Sequence, residues 1–403
     1  MGTVGRQLTS IEICAGAGGQ ALGLHAAGFR HLALVEIDKH AAATLRHNVK
    51  LRPEWEWEKE HCLIHEGDVK GFDALEQVFA PEAPGVSERK PGKQYPMLKR
   101  GKLDLLAGGV PCPPFSAAGK QLGRDDERDL FPAMLDLVED LNPRAVMIEN
   151  VRGLVEPFEK FRYYRNHIKN RLRKAGYVIC DWRVLHAESF GVPQLRPRAI
   201  LVAIRKDSYR GFDWPAPHDQ VVTVHEKLQS SMERRLGGLE SELYEQWEKK
   251  SKSSPVAPTL VGGSKKHGGA DLGPTRAKKA WGFLGVDGMG VANDEDKMVD
   301  PDRDLGVLGR GPKLTVAQAA IIQGFPEGKW EFTGGKTARY RQVGNAFPPP
   351  VAEAVGAKIR EALLRKGPLV EDPTPDFEPE QDPSLVAPQL PLEESSPAVG
   401  DNA

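Results

Sequence analysis

Short β-rich runs alternate with amphipathic stretches over the first two hundred residues, and this alternation restricts the chain more than any other feature. The runs are Ser10 to Cys14, His31 to Ile37, Lys102 to Ala107 and Arg144 to Ile148, followed later by Ala199 to Ile204. Between them lie segments such as Glu127 to Leu141, where Leu130, Met134, Leu137, Val138 and Leu141 recur at helical spacing. Strand, helix and strand in repeated order predict an α/β chain, a doubly wound and mostly parallel sheet with helices on both faces. Such sheets bind ligands at the carboxyl ends of their strands, so the residues that follow each run decide the chemistry.

The first run empties into Ala15-Gly16-Ala17-Gly18-Gly19, ahead of a helix predicted over Gln20 to Ala27. Glycines at that turn let the backbone come close to a cofactor and let the helix pack on the sheet. The second run carries Glu36, twenty residues after Gly16, where a carboxylate can accept both hydroxyls of a ribose. A nucleoside-containing cofactor follows, but its identity does not. Gly16-Ala17-Gly18-Gly19-Gln20-Ala21 also satisfies the dinucleotide pattern GxGxxA, so a nicotinamide cofactor, S-adenosylmethionine and a structural glycine turn all stay open at this motif.

The third run leads into Gly108-Gly109-Val110-Pro111-Cys112-Pro113-Pro114-Phe115-Ser116. Prolines on both sides present Cys112 stiffly at the mouth of the cofactor cleft, and a thiolate there is a strong nucleophile. Cys14, Cys62 and Cys180 read as ordinary buried thiols. The fourth run ends at Glu149-Asn150-Val151, placing a carboxyl group on the same edge as Cys112. Gln194-Leu195-Arg196-Pro197-Arg198 precedes the last run, and in an extended segment its two arginines point to one side.

Composition narrows the setting. Hydrophobic residues make up 40% and charged residues 28%, as in a globular chain, and no apolar run approaches the roughly 18 to 20 residues of a membrane span. The N-terminus lacks the basic-then-apolar pattern of a signal peptide. Four cysteines without a CxxC pair argue for reduced thiols in a cytosol. His61, Cys62 and His65 lack a fourth ligand at suitable spacing, so no metal is expected. The net charge of −1 conceals an asymmetry, because residues 367 to 403 hold nine Asp/Glu, eight Pro and no Lys/Arg. That acidic tail is expected to be disordered, and without its nine negative charges residues 1 to 366 carry +8. Eight Lys/Arg against one acid fall between residues 249 and 279, which suits a polyanionic partner.

With these pieces in view, the sequence resembles the DNA (cytosine-5)-methyltransferase family over nearly all of residues 8 to 362. The glycine turn, the PC dipeptide in GGVPCPPFS, ENV, QLRPR, LTVAQAAIIQGFP (Leu314 to Pro326) and RQVGNAFPPPVAEAVG (Arg341 to Gly356) follow in the family's order. The resemblance implies a Rossmann-like class I methyltransferase fold using S-adenosylmethionine. It implies a smaller target-recognition domain over 205–312, between a catalytic and cofactor-binding domain at 1–204 and a return segment at 313–366 that completes it. Cys112 would attack carbon 6 of cytosine, Glu149 would serve N3, and Arg196 and Arg198 would hold the ring carbonyl.

For the cofactor, the resemblance assigns the backbone of Ala15, Gly16, Ala17, Gly18 and Gly19, with Glu36 on the ribose, Ile37 beside the adenine and Asp68 on the adenine amino group. Gly109 and Pro111 fall near the methionine end, and Asn345 joins the cofactor site from the late motif. Two positions depart from the family pattern: Cys14 stands where many members carry a phenylalanine, and Pro113 where glutamine is common. Ser116, Gln194, Thr259, Lys265 and Lys266 are expected to face DNA, and the segment from Ser116 to Asp129 to close over it. Double-stranded DNA is the expected partner of a cytoplasmic, nucleoid-associated monomer, with a cognate endonuclease an expectation from the family alone. Competing readings are a transfer-RNA type cytosine-5 methylase, a catalytically silent DNA-binding regulator, and a nicotinamide dehydrogenase that would have no use for Cys112.

Overall fold

The five β-rich runs form a single large sheet with two further segments that the sequence alone did not single out, β3 (Leu63–Glu66) and β6 (Tyr177–His186); the runs themselves are β1 (Leu8–Ile13), β2 (Phe29–Glu36), β4 (Leu105–Gly108), β5 (Ala145–Val151) and β8 (Pro197–Arg205). The structure, a computed structural model, describes residues 6–78, 100–111, 129–262, 270–294, 304–306, 310–373 and 377. Sheet order is β3-β2-β1-β4-β5-β8-β6. Neighbours from β3 to β5 are parallel, while β8 runs antiparallel to both β5 and β6. The order reverses between β1 and β4, so a crevice opens at their carboxyl ends.

Strand limits differ from the sequence reading where side chains capture backbone. β4 starts at Leu105 rather than Lys102, because buried Asp104 accepts hydrogen bonds from Arg6, Arg144 and the Thr9 N–H. Ile37 falls outside β2 and is 68% exposed. The helix expected from Glu127 is observed as Phe131–Leu141; Asp129 accepts the Phe131 N–H at 3.0 Å, and Asn142 ends the helix with φ 48°.

Each face of the sheet is covered, which is why the central strands are apolar on both sides. Helices Phe131–Leu141 and Arg162–Lys174 bury Ile11, Ile13, Leu106, Val146 and Ile148. Helices Gly19–Ala26 and Pro349–Leu364 bury Leu8, Leu105, Ala107 and Met147 on the opposite face. Gly23 allows these two helices to touch, since a Cβ there would fall on the Pro349 carbonyl. Each fully buried Leu or Ile in these layers contributes about 1.5–3 kcal/mol.

The segment 205–312 departs from strand-helix alternation, as expected. It carries helices Val224–Arg235, Glu242–Ser251 and Thr275–Phe283, and a two-residue strand β9 (Ala257–Pro258) paired in parallel with β7 (Gln194–Leu195). Its core, with Leu228, Met232, Trp247, Leu260 and Trp281, is continuous with Leu314, Val316, Ala319 and Ile322 of the return segment. Arg235 reinforces the junction by donating to the Lys313 carbonyl and to Gln318 Oε1. No helix among the described residues is long and apolar enough to cross a membrane.

Candidate active site and cofactor cavity

The turn after β1 is held from both sides. Gly16 and Gly18 adopt φ 57° and 90°, a region open to glycine at no steric cost. Glu36, at the end of β2, accepts the Gly16 N–H on Oε2 and the Asp38 N–H on Oε1, both at 2.7 Å. Burial raises the Glu36 pKa against the lowering effect of these bonds. From the return segment, the Trp330 indole N–H donates to the Ala17 carbonyl at 2.8 Å, and a Cβ on Gly18 would stand 2.5 Å from the indole ring. Nothing in the sequence singled Trp330 out, because its place under the turn depends on a contact across more than 300 residues.

Above the turn lies a cavity of about 590 Å³. Of the residues expected to bind cofactor, Gly16, Ala17, Glu36, Ile37, Asp68, Gly109, Pro111 and Asn345 line it. Ala15, Gly18 and Gly19 are buried beneath and shape the turn without facing the cavity. His40, Asp38, Gln342 and Arg341 also line the wall and were not anticipated. Cys14 lines it too, but burial and the nearby carboxylates of Glu36, Glu12 and Asp68 push its thiol up to about 12, leaving it protonated and unreactive.

The expected acid stands where β5 ends. Arg198 Nε contacts Glu149 Oε1 at 2.8 Å, with side chains 15% and 14% exposed. Burial raises the Glu149 pKa, and the guanidinium charges of Arg198 and Arg196 act against it. Gly109 makes the approach possible: a Cβ there would lie 3.1 Å from Glu149 Oε2. Asn150 Nδ2 donates to the Val110 carbonyl at 2.8 Å, which ties the end of β5 to the strand exit that precedes Cys112. The role of Asn150 was hidden in the sequence beside a more conspicuous acid. Cys112, Ser116, Lys265 and Lys266 lie outside the described residues.

The two arginines of QLRPR have different surroundings. Arg196 is fully buried and donates to the carbonyls of Leu260 at 2.7 Å and of Gly344 and Ala346 at 2.9 Å. It therefore joins β7, the 205–312 segment and the return segment, while Arg198 is the one that meets Glu149. Gln194 requires a correction: expected to face DNA, it is fully buried, and its amide is engaged by Leu260 N–H, the Ile322 carbonyl and Gln323 Oε1. A side chain with no accessible surface and both amide atoms paired has nothing left to offer a phosphate or base. Thr259 donates its hydroxyl to the Leu195 carbonyl. Among the described residues, no group of three His, Cys, Asp or Glu side chains could hold a metal ion.

A seven-stranded sheet with one antiparallel strand, a cavity at the switch point and a largely buried acid next to its Gly109 wall define an α/β enzyme of class I methyltransferase architecture. The family model of C-5 cytosine-specific DNA methylases matches residues 8–361. The type II methyltransferase M.NaeI of Lentzea aerocolonigenes is 50% identical over 362 residues, 90% of this chain and 77% of that protein. M.NgoMIV of Neisseria gonorrhoeae, also a type II methyltransferase, is 44% identical over 365 residues, 89% of this chain and 99% of that protein. The solved Dnmt2 methyltransferase of S. pombe shares the fold, with a TM-score of 0.55 at 18% identity, covering 89% of this chain and all of that one. The chain belongs to the C-5 cytosine-specific DNA methylase family and is an enzyme of that family. That membership favours DNA cytosine methylation over the transfer-RNA, silent-regulator and dehydrogenase readings.

Proposed function

We propose that this enzyme moves a methyl group from S-adenosylmethionine to carbon 5 of a cytosine flipped out of a specific short sequence in duplex DNA, through an adduct between Cys112 Sγ and carbon 6. The observation that carries the reading is the largely buried Glu149–Arg198 pair beside Gly109, a residue of the cavity wall three positions before Cys112.

The donor set suits that cofactor. Glu36 keeps free lone pairs for the ribose hydroxyls, exposed Ile37 offers an apolar face to adenine, and Asp68 accepts from the adenine amino group. Gly16, Ala17, Gly109, Pro111 and Asn345 serve the remainder. When bound, the cofactor supplies a methyl group on a sulfonium, an electrophile for carbon 5. Cys112, as thiolate, adds to carbon 6 and makes carbon 5 nucleophilic. Glu149, whose raised pKa favours the acid form, donates to N3 as charge enters the ring. Arg198 orients Glu149 and takes the ring carbonyl, and Arg196 holds the surrounding backbone. Loss of the carbon 5 proton and expulsion of the thiolate restore the aromatic ring.

A stacked cytosine is out of reach, so it must leave the duplex at a cost of a few kcal/mol. Residues 205–312 are the target-recognition domain in this reading, with the catalytic domain at 1–204 and 313–366. Lys249, Lys250, Arg276 and Lys279 of the basic cluster form no ion pair with any described residue and would neutralise phosphates. Ser116, Lys265, Lys266 and Thr259 complete the expected contacts to double-stranded DNA. A cognate endonuclease on the same site, a monomeric state and a nucleoid-associated place in the cytoplasm belong to the same proposal. The test is base-resolution cytosine methylation of DNA from a methylation-deficient host expressing the intact chain or Cys112→Ala. Methylcytosine at one short motif, present only with the intact chain, is expected; its absence from a host containing folded protein overturns the proposal.

A further inference from the structure

The cofactor cavity has an acidic wall and one unmatched cation. Glu36, Asp38 and Asp68 line it, and so does Arg341, on helix Lys336–Asn345 one turn before Asn345. The polar neighbours of Arg341 on that helix are committed. Arg339 pairs with Asp294 at 2.6 Å, and Gln342 accepts from Thr44 and donates to the Thr333 carbonyl. Arg341 makes no hydrogen bond or ion pair with any described residue, and its Nε is fully buried without a partner. A half-buried guanidinium left this way is costly unless an anion arrives to pair with it.

We propose that Arg341 receives the α-carboxylate of the methionine moiety of S-adenosylmethionine, an inference that rests on the cofactor reading above. That cofactor carries one anion, at the end remote from adenine. Glu36 and Asp68 serve the nucleoside, which leaves Arg341, the one guanidinium among the described residues that line the cavity and one helical turn from Asn345, to meet the carboxylate. A guanidinium fork matches a carboxylate in two parallel hydrogen bonds and discriminates it from a neutral group of similar size.

Calorimetric binding of S-adenosylmethionine and of its decarboxylated analogue to the intact chain, Arg341→Gln and Arg341→Lys tests this. The intact chain is expected to bind the analogue about ten- to a hundredfold more weakly. Arg341→Gln should lose a similar factor toward S-adenosylmethionine and no longer distinguish the two ligands, while Arg341→Lys keeps part of the discrimination. Full discrimination by a folded Arg341→Gln protein overturns the assignment. So does unchanged cofactor affinity with a salt slope for DNA binding reduced by about one, which would make the anion a DNA phosphate. If the folded intact chain binds neither ligand, the cofactor reading itself fails.

Discussion

A carboxyl group that serves N3 of a cytosine must hold its proton near neutral pH, and burial acts on Glu149 in that direction while Arg198 opposes it. Activity that needs the acid form is lost as pH rises through the raised pKa. Glu149→Gln should lower kcat by about 10² to 10⁴ and remove that alkaline limb, with cofactor affinity retained; pH-rate profiles of both proteins decide it. His31 shows the opposite shift, with consequences for stability. It is fully buried between Ser10 Oγ at 2.9 Å and the Ala21 carbonyl at 2.9 Å, and burial lowers its pKa to about 4. Its folded pKa lies below the unfolded value of about 6.5, so the stability held by neutral His31 is complete above that value and falls as pH drops toward 4. The loss at pH 5 should be about 2 kcal/mol, read from urea unfolding at pH 7.5 and 5. His31→Gln should be less stable at pH 7.5 and lack that component of the slope; an unaltered slope would show that His31 is not buried neutral.

At the scale of elements, the contact between the 205–312 segment and the cofactor wall is a backbone clamp. Both polar atoms of the Leu260 peptide positions are captured, the N–H by Gln194 and the carbonyl by Arg196, and Arg196 also takes the carbonyls on either side of Asn345. Two residues on, Gly262 packs so closely that an added Cβ would strike Asn345 Oδ1. Gly262→Ala should therefore push Asn345 into the cavity and weaken cofactor binding about five- to a hundredfold, the usual range for overpacking by a methyl. Calorimetry without DNA measures it, and unchanged affinity would mean that the backbone at 260–262 shifts instead. Arg196→Ala strands three buried carbonyls and should destabilise the fold by about 3 kcal/mol or more, visible as a lowered Tm.

Over the whole molecule, charge separates the folded part from the C-terminal segment. At its start the C-terminal segment lies against Tyr209 and Arg210: the Val370 N–H meets the Tyr209 carbonyl and Arg210 donates to the Gly367 carbonyl. Deleting residues 374–403 removes seven acids and no base, changing the net charge from −1 to +6 while sparing that contact. DNA affinity should rise at low salt and converge with the intact chain at high salt, because a surface field is screened within a Debye length of about 8–10 Å; equal affinity at all salt concentrations would remove the tail as a competitor. Five of the seven strands, helices Gly19–Ala26 and Phe131–Leu141, the glycine turn and the carboxyl-end positions of Glu36, Gly109 and Glu149 were legible in the sequence, since each depends on local periodicity or on residues adjacent to a strand end; β3, β6 and helix Arg162–Lys174 were not. Where side chains reach was not. QLRPR reads as two arginines on one side of a strand, yet Arg196 and Gln194 are drawn inward by carbonyls and amides more than sixty residues away, leaving Arg198 to Glu149. Trp330 reaches the glycine turn, and Arg341 the cavity, only because the last part of the chain returns over the first. The linear sequence alone determined the chemistry available and the edge of the sheet on which it gathers, because strand order and strand-end residues are local. Tertiary structure decided which of those groups remain free to act, because that depends on which buried backbone atoms, brought near by the fold, must be satisfied first.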